Sequence, residues 1–95
     1  IWDVAVDLRE DSPTYRQWHG LELAAGDGKL FWIPAGFAHG FCVLGSEPAG
    51  VLYKVDRAYD ASAERGVRWD EPSLAGGGVR WPIERPTLSA RDRGL

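Results

Sequence analysis

Hydrophobic and polar positions alternate with a period of two at the start of the chain. One set is apolar and the other carries two carboxylates: Trp2, Val4, Val6 and Leu8 against Asp3, Ala5 and Asp7. Successive side chains of a β-strand point to opposite faces, so the pattern predicts a strand over residues 1–8. Two carboxylates on a covered face are costly unless they are paired or solvated, which favours an open, wet cavity on that side over a dry core.

Four more short apolar segments follow, and each ends at a turn that contains Gly or Pro. They predict strands over residues 18–23, 30–33, 40–44 and 50–56. No helical period interrupts them. Short strands separated in this way indicate an all-β protein, an antiparallel sandwich or barrel.

The pattern changes after Tyr59. Residues 60–66 predict a turn or a short helical piece, residues 76–78 form a glycine loop, and two short extended segments, 67–69 and 79–82, lie around that loop. Ser89, with Asp92 three residues later, predicts the N-cap of a helix near the C-terminus.

Composition bounds the kind of protein. A chain of 95 residues with 44% hydrophobic content suits one domain over residues 1–95. Its 11 basic and 14 acidic residues give a net charge of −3 without a basic run, so nucleic acid is not an expected partner. The apolar runs are shorter than the roughly 20 residues of a membrane helix, so we expect no membrane partner. The single Cys42 fits a cytoplasmic location.

One histidine lies where two predicted strands meet. The turn 34–36 joins them, and His39 follows it by three residues. The imidazole could bind a metal, contact a substrate or serve the fold. Metal sites of this kind need about three histidines and a carboxylate. The chain has only His19 and His39, without a His-x-His pair, so substrate contact is favoured and no metal is expected.

Two further residues could carry proton chemistry. Tyr53 lies in a predicted strand, and a phenol stays protonated at neutral pH and can donate to a carbanion. It could equally fill space at the rim of a barrel. Asp92 could orient a catalytic histidine or simply cap a helix. The residues alone favour the structural interpretation of both.

Five segments, taken in order, resemble the C-terminal half of the dTDP-4-dehydrorhamnose 3,5-epimerase family, within the cupin superfamily. They are residues 6–15, 32–41, 52–54, 64–72 and 88–92. The resemblance implies an antiparallel jelly-roll (cupin-like) barrel, incomplete here, with a short helical start at the C-terminus. It implies a homodimer that needs no cofactor and acts on dTDP-4-keto-6-deoxy-D-glucose. The C4 ketone acidifies the C3 and C5 protons, which are removed and returned on the opposite face.

The resemblance also implies roles for single residues. Tyr53 corresponds to the acid that donates the proton and Asp92 to the carboxylate paired with the catalytic histidine of the family. Residues that correspond to substrate-binding positions are His39, Glu64, Arg91 and Asp3.

Other family residues lie outside residues 1–95. The general base of the family, a histidine in a Gly-Leu-His motif, has no counterpart here, nor do the arginine and lysine that hold the diphosphate and the enolate. Because Ile1 already lies in a predicted strand, we expect that an N-terminal part is missing, that sheet edges are left unpaired, and that these 95 residues alone are inactive.

Alternative functions remain open. Family members commonly carry two adjacent tyrosines where this chain has Ala58-Tyr59. A related antibiotic-sugar epimerase that acts at C3 or C5 alone is therefore one alternative. A non-catalytic cupin-like module that binds a sugar nucleotide is a second alternative, and a metal-dependent cupin isomerase or dioxygenase is a weaker third.

Overall fold

A three-stranded antiparallel sheet organises the chain. The computed structural model describes residues 1–95 and places the strands in the order β2-β1-β3. Strand β1 is Trp2–Asp7, β2 is Trp18–Glu22 and β3 is Phe37–Cys42, and the only α-helix, α1, is Ala90–Arg93. Turns of 3-10 helix occupy Ala61–Ala63 and Ala75–Gly77. The predicted all-β class with a short C-terminal helix is therefore confirmed. None of the helices has the length and apolar character that crossing a membrane requires.

Strand β1 lies in the middle of the sheet and is paired on both sides. Its Ala5 is opposite His19 of β2 and His39 of β3. Directly opposed residues of antiparallel strands place their side chains on the same face. Both histidines therefore lie on the same face as Asp3 and Asp7. That these two carboxylates share a face was predicted from the alternation.

The apolar core covers the other face of β1. Val4, Val6 and Leu74 are buried there. Side chains packed against them come from the sheet and from the later part of the chain: Trp2, Leu8, Trp18, Ala38, Val67, Val79 and Trp81. The Trp18 indole donates to the carbonyl of Ala75 at 3.1 Å. This contact helps to hold the later chain, which has no strand of its own, against the sheet.

Three of the predicted strands differ from the structure. Residues 30–33 and 50–56 form no ladder, and the strand predicted at 40–44 begins earlier, at Phe37, because it pairs with β1 from Asp7 onward. A strand needs a neighbour for its backbone N–H and C=O groups, and neither unpaired segment has one. Their apolar side chains are consequently exposed, with Leu30 at 98% and Leu52 at 89%. The outer edges of β2 and β3 are also unpaired, as expected.

The predicted start of α1 is confirmed by its cap. The Oγ atom of Ser89 accepts a hydrogen bond from the backbone N–H of Asp92 at 3.1 Å. This bond satisfies one of the N–H groups that the first turn of a helix leaves without a partner. The helix thereby places Arg91 and Asp92 beside the cavity described next.

Candidate active site

An aspartate and a histidine pair across β1 and β3. Oδ1 of Asp3 lies 2.5 Å from Nε2 of His39, and the two side chains are 8% and 29% exposed. Asp3 is opposite Phe41 in the register, so the contact with His39 is diagonal, at a separation that side chains of this length reach. A carboxylate only accepts hydrogen bonds, so Nε2 carries the hydrogen and Nδ1 is left free. The pair thus holds the imidazole in one orientation.

The phenol of Tyr53 lies next to this pair. Its ring centroid is 6.3 Å from that of His39, and the two planes meet edge to face at 77°. Both side chains line one cavity of about 930 Å³. Tyr53 lies in the unpaired segment 50–56. The residue is 66% exposed, so a ligand can reach it.

A second polar group joins α1 to the middle of the chain. Arg91 donates to Oε1 of Glu64, and the hydroxyl of Tyr59 donates to Oε2 of the same carboxylate at 3.2 Å. The hydrogen bond to Glu64 raises the pKa of the Arg91 guanidinium. Asp92 lies 3.6 Å from the other guanidinium nitrogen. These contacts tether α1 to the segment that follows Tyr59.

The six predicted site residues therefore form two groups. One is Asp3, His39 and Tyr53, and the other is Glu64, Arg91 and Asp92. His39, Tyr53, Arg91 and Asp92 line the same cavity, which runs along the open edge of β3 and takes side chains from both faces of that strand. No hydrogen bond or ion pair joins the two groups, and Asp92 forms neither with a histidine.

The chain contains no metal-ligating cluster. Nowhere do three or more His, Cys, Asp or Glu side chains converge. The metal-dependent alternative has no ligand set among residues 1–95.

Sequence reasoning gave no role to the most heavily bonded carboxylate. Asp7 is 1% exposed, and its carboxylate accepts hydrogen bonds from Nε and Nη2 of Arg9, each at 3.0 Å, from the Ser12 hydroxyl at 2.6 Å and from the Thr14 hydroxyl at 2.5 Å. The Arg9 hydrogen bonds, helped by the two hydroxyls, hold the pKa of Asp7 far below its usual range. The open, wet surroundings expected for this carboxylate are wrong, because hydrogen-bond donors from the following loop replace water.

Arg9 also links this cluster to β3. Its guanidinium carbon lies 4.8 Å from the centre of the Phe37 ring, two residues before His39 on the same face. The short spacing of Asp7, Arg9, Ser12 and Thr14 along the chain could have indicated a local cluster of this kind.

Comparison with known proteins identifies the family to which the chain belongs. Residues 1–95 match the family described as dTDP-4-dehydrorhamnose 3,5-epimerase. The chain belongs to this family, which is a family of isomerases. The predicted resemblance is confirmed.

Individual relatives show the same likeness. A dTDP-4-dehydrorhamnose 3,5-epimerase from Shigella flexneri is 45% identical over 92 residues, which are 97% of this chain and 49% of that protein. Another from Pseudomonas aeruginosa is 48% identical over 94 residues, 98% of this chain and 50% of that protein. A dTDP-4-dehydrorhamnose 3-epimerase from Streptomyces niveus is 39% identical over 93 residues, 98% of this chain and 43% of that protein. The chain spans about half the length of the curated relatives it matches.

Proposed function

We propose that the protein is a 3,5-epimerase of dTDP-4-keto-6-deoxy-D-glucose, in the biosynthesis of dTDP-L-rhamnose. The observation that supports this best is that His39, held by Asp3, and Tyr53 lie side by side in one cavity. It combines a fixed imidazole with an accessible phenol, which are groups that can bind a keto-sugar and move a proton.

Proton transfer explains what each group would do. A base takes the proton from C3 or C5, the electron pair of the broken C–H bond moves into the enolate of the C4 ketone, and an acid returns a proton on the other face. We assign the returning proton to the hydroxyl of Tyr53. The base, a histidine outside residues 1–95, takes up the proton that leaves carbon, and Tyr53 is left as a phenolate. Loss of the proton from the base to water and uptake of a proton from water by the phenolate return both groups to their starting state.

His39 is assigned to substrate contact. Its Nε2 is engaged by Asp3, so Nδ1 remains to accept a hydrogen bond from a sugar hydroxyl. Asp3 contributes to the site by orienting this ring. The family resemblance puts the general base outside residues 1–95, so we do not assign that role to His39.

The second group suits the charged part of the substrate. Arg91 offers a guanidinium that matches a phosphate in shape and charge, and Glu64 positions it. Asp92 lines the cavity without a histidine partner. We assign it the role of the carboxylate that pairs with a histidine base from outside residues 1–95. For this reason we expect no epimerisation by these residues alone.

The partner and location are proposals as well. We assign a second copy of the protein as the partner, so that the protein is a homodimer. The exposed apolar side chains of Leu30, Trp32 and Leu52 support this assignment. Sedimentation of the full-length protein tests whether it is a dimer. A single unpaired thiol, Cys42, supports a cytoplasmic location.

Isotope exchange tests the function. The full-length protein, incubated with dTDP-4-keto-6-deoxy-D-glucose in deuterated water, is expected to incorporate deuterium at both C3 and C5. Tight binding of the sugar nucleotide without exchange at either carbon would instead indicate a binding module.

A single-carbon epimerase is the second candidate. One relative at 39% identity is named a 3-epimerase, and this chain has Ala58 where members of the family commonly carry a tyrosine. Exchange confined to one of the two carbons would favour this candidate.

A further inference from the structure

The segment that follows the glycine loop lines the cavity of His39 and Tyr53 with every second residue. Alternate positions line it and the positions between them do not: Val79, Trp81, Ile83 and Arg85 against Arg80, Pro82 and Glu84. An extended chain points successive side chains to opposite sides, which produces this period of two. Burial agrees, since the three apolar residues are partly buried and the three residues between the lining positions are exposed. The backbone therefore directs Arg85 into the cavity, at the end of an apolar row.

Two contacts of Trp81 hold this row against the rest of the cavity wall. Its indole donates to the backbone carbonyl of Trp69 at 2.8 Å. A Cβ atom added to Gly40 would lie 3.5 Å from Cη2 of Trp81, so the indole packs on the residue that follows His39 in β3. The row that ends at Arg85 is thus anchored beside the proposed sugar site.

The cavity is lined by more positive than negative side chains. Four guanidiniums and one carboxylate line it: Arg65, Arg68, Arg85, Arg91 and Asp92. The chain as a whole carries the opposite sign, with a net charge of −3. Positive charge concentrated in a cleft raises the local concentration of anions there. The ligand that suits this cavity best therefore carries negative charge.

Three of the four guanidiniums are already engaged by the protein. Arg91 and Arg68 each bond a carboxylate, and Arg65 donates to backbone carbonyls. Arg85 is exposed and forms no hydrogen bond or ion pair, so all five of its N–H groups are free. A planar guanidinium with free N–H groups binds a phosphate through two parallel hydrogen bonds.

We propose that Arg85 binds the diphosphate of the substrate. This rests on the proposed function, to which it adds a second phosphate contact beside that of Arg91. The Glu64 carboxylate competes with a phosphate for Arg91, whereas no protein group competes for Arg85. Arg85 can therefore pair with the diphosphate without first giving up a protein partner.

Calorimetric titration of the full-length protein with dTDP tests the contact. Arg85→Gln keeps a polar side chain but removes the charge. Because a hydrogen bond to a charged group is lost, we expect the dissociation constant of dTDP to rise about tenfold or more. Arg85→Lys, which keeps the charge but not the planar fork, should recover part of the loss. Arg80→Gln is the matched control, since Arg80 is an exposed arginine of the same segment that does not line the cavity.

Kinetics give a second measurement. The diphosphate takes no part in the proton transfer, so its contact is equally strong before and during the reaction. Arg85→Gln is therefore expected to raise KM for the keto-sugar nucleotide by a similar factor with kcat unchanged. The thermal unfolding midpoint should stay that of wild type, because the side chain has no protein partner to lose.

The other outcomes separate the two proposals. Wild-type affinity for dTDP in Arg85→Gln, or an equal loss in Arg80→Gln, overturns the role of Arg85 and leaves the proposed function standing. A fall in kcat without a rise in KM does the same. A wild-type protein that neither binds dTDP nor exchanges deuterium at C3 or C5 overturns the proposed function and the contact with it.

Discussion

Nε2 of His39 lies 2.5 Å from Oδ1 of Asp3, although the register of β1 and β3 places His39 opposite Ala5. The diagonal contact joins residues 36 positions apart and leaves the carboxylate almost fully buried. It gives the candidate site its one fixed ring orientation, from which the first prediction follows.

Replacing Asp3 by Asn should weaken both the fold and the site. The amide keeps the shape of the side chain but not its charge. Because an amide can donate as well as accept, it no longer selects the His39 tautomer with hydrogen on Nε2. A buried hydrogen bond to a charged group contributes about 1.5–3 kcal/mol, so we expect a loss of that size in the free energy of unfolding, measured in urea. We also expect turnover of the full-length enzyme to fall about tenfold or more. Asp11→Asn, at an exposed loop position, is the control, and equal stability of the two variants would argue against the pair.

Removal of one hydroxyl tests the assigned acid. Tyr53→Phe keeps the ring beside His39 but has no proton to return to the enolate. General acid catalysis contributes roughly 10²- to 10⁴-fold, so deuterium exchange by the full-length enzyme should slow by at least about 100-fold. Binding of dTDP-glucose, measured by calorimetry, should change little. Tyr59→Phe removes a hydroxyl that donates to Glu64 instead, and a loss as large in this control would refute the assignment to Tyr53.

Acid should destabilise the protein through Asp7. Its pKa is lowered in the folded state, chiefly by Arg9, so its contribution to stability is present above the ordinary aspartate pKa of about 4. That contribution is lost progressively as the pH falls below this value, because the unfolded chain then binds a proton that the folded chain does not. Asp7→Asn should be less stable than wild type at neutral pH, and its stability should depend less on pH between about 5 and 2. Parallel urea titrations across that range measure this, and identical slopes for the two proteins would contradict it.

The glycine immediately before β3 packs against the side chain of Arg9. Gly36 has a φ of +89°, and a Cβ atom added there would lie 2.5 Å from Cγ of Arg9. Gly26 has a similar φ of +81°, and no atom would lie within 4 Å of a Cβ added there. Substitution of Gly26 therefore measures the cost of backbone strain alone. We expect Gly26→Ala to cost about 1 kcal/mol and Gly36→Ala clearly more, because the second change must also displace Arg9 from Phe37. Thermal unfolding of the two variants compares them, and equal midpoints would show that Arg9 moves aside freely.

Local features of this chain could be predicted because they depend on neighbours in sequence. The alternation around Val4 and Val6 identified β1 and the face that packs in the apolar core, and Ser89 identified the first turn of α1. Both rest on the period of a backbone conformation or on a hydrogen bond within three residues.

Pairing could not be predicted in the same way. Residues 30–33 and 50–56 have the composition of strands, yet a ladder also requires a neighbour, and none is present beside them. The role of Asp7 was missed because its donors, Arg9, Ser12 and Thr14, lie between two predicted strands, in a segment to which the pattern gave no role.

The sequence by itself determined the fold class, the family and the kinds of side chain that are available for proton chemistry, since these follow from periodicity, composition and short motifs. Only the tertiary structure decided that Asp3 contacts His39, that Tyr53 lines the same cavity as His39, and that His19 lies on the same face across Ala5. Those distances depend on which strands pair and in which register, and the register is set by the packing of Val4 and Val6 in the apolar core, a property of the whole sheet and not of any one segment.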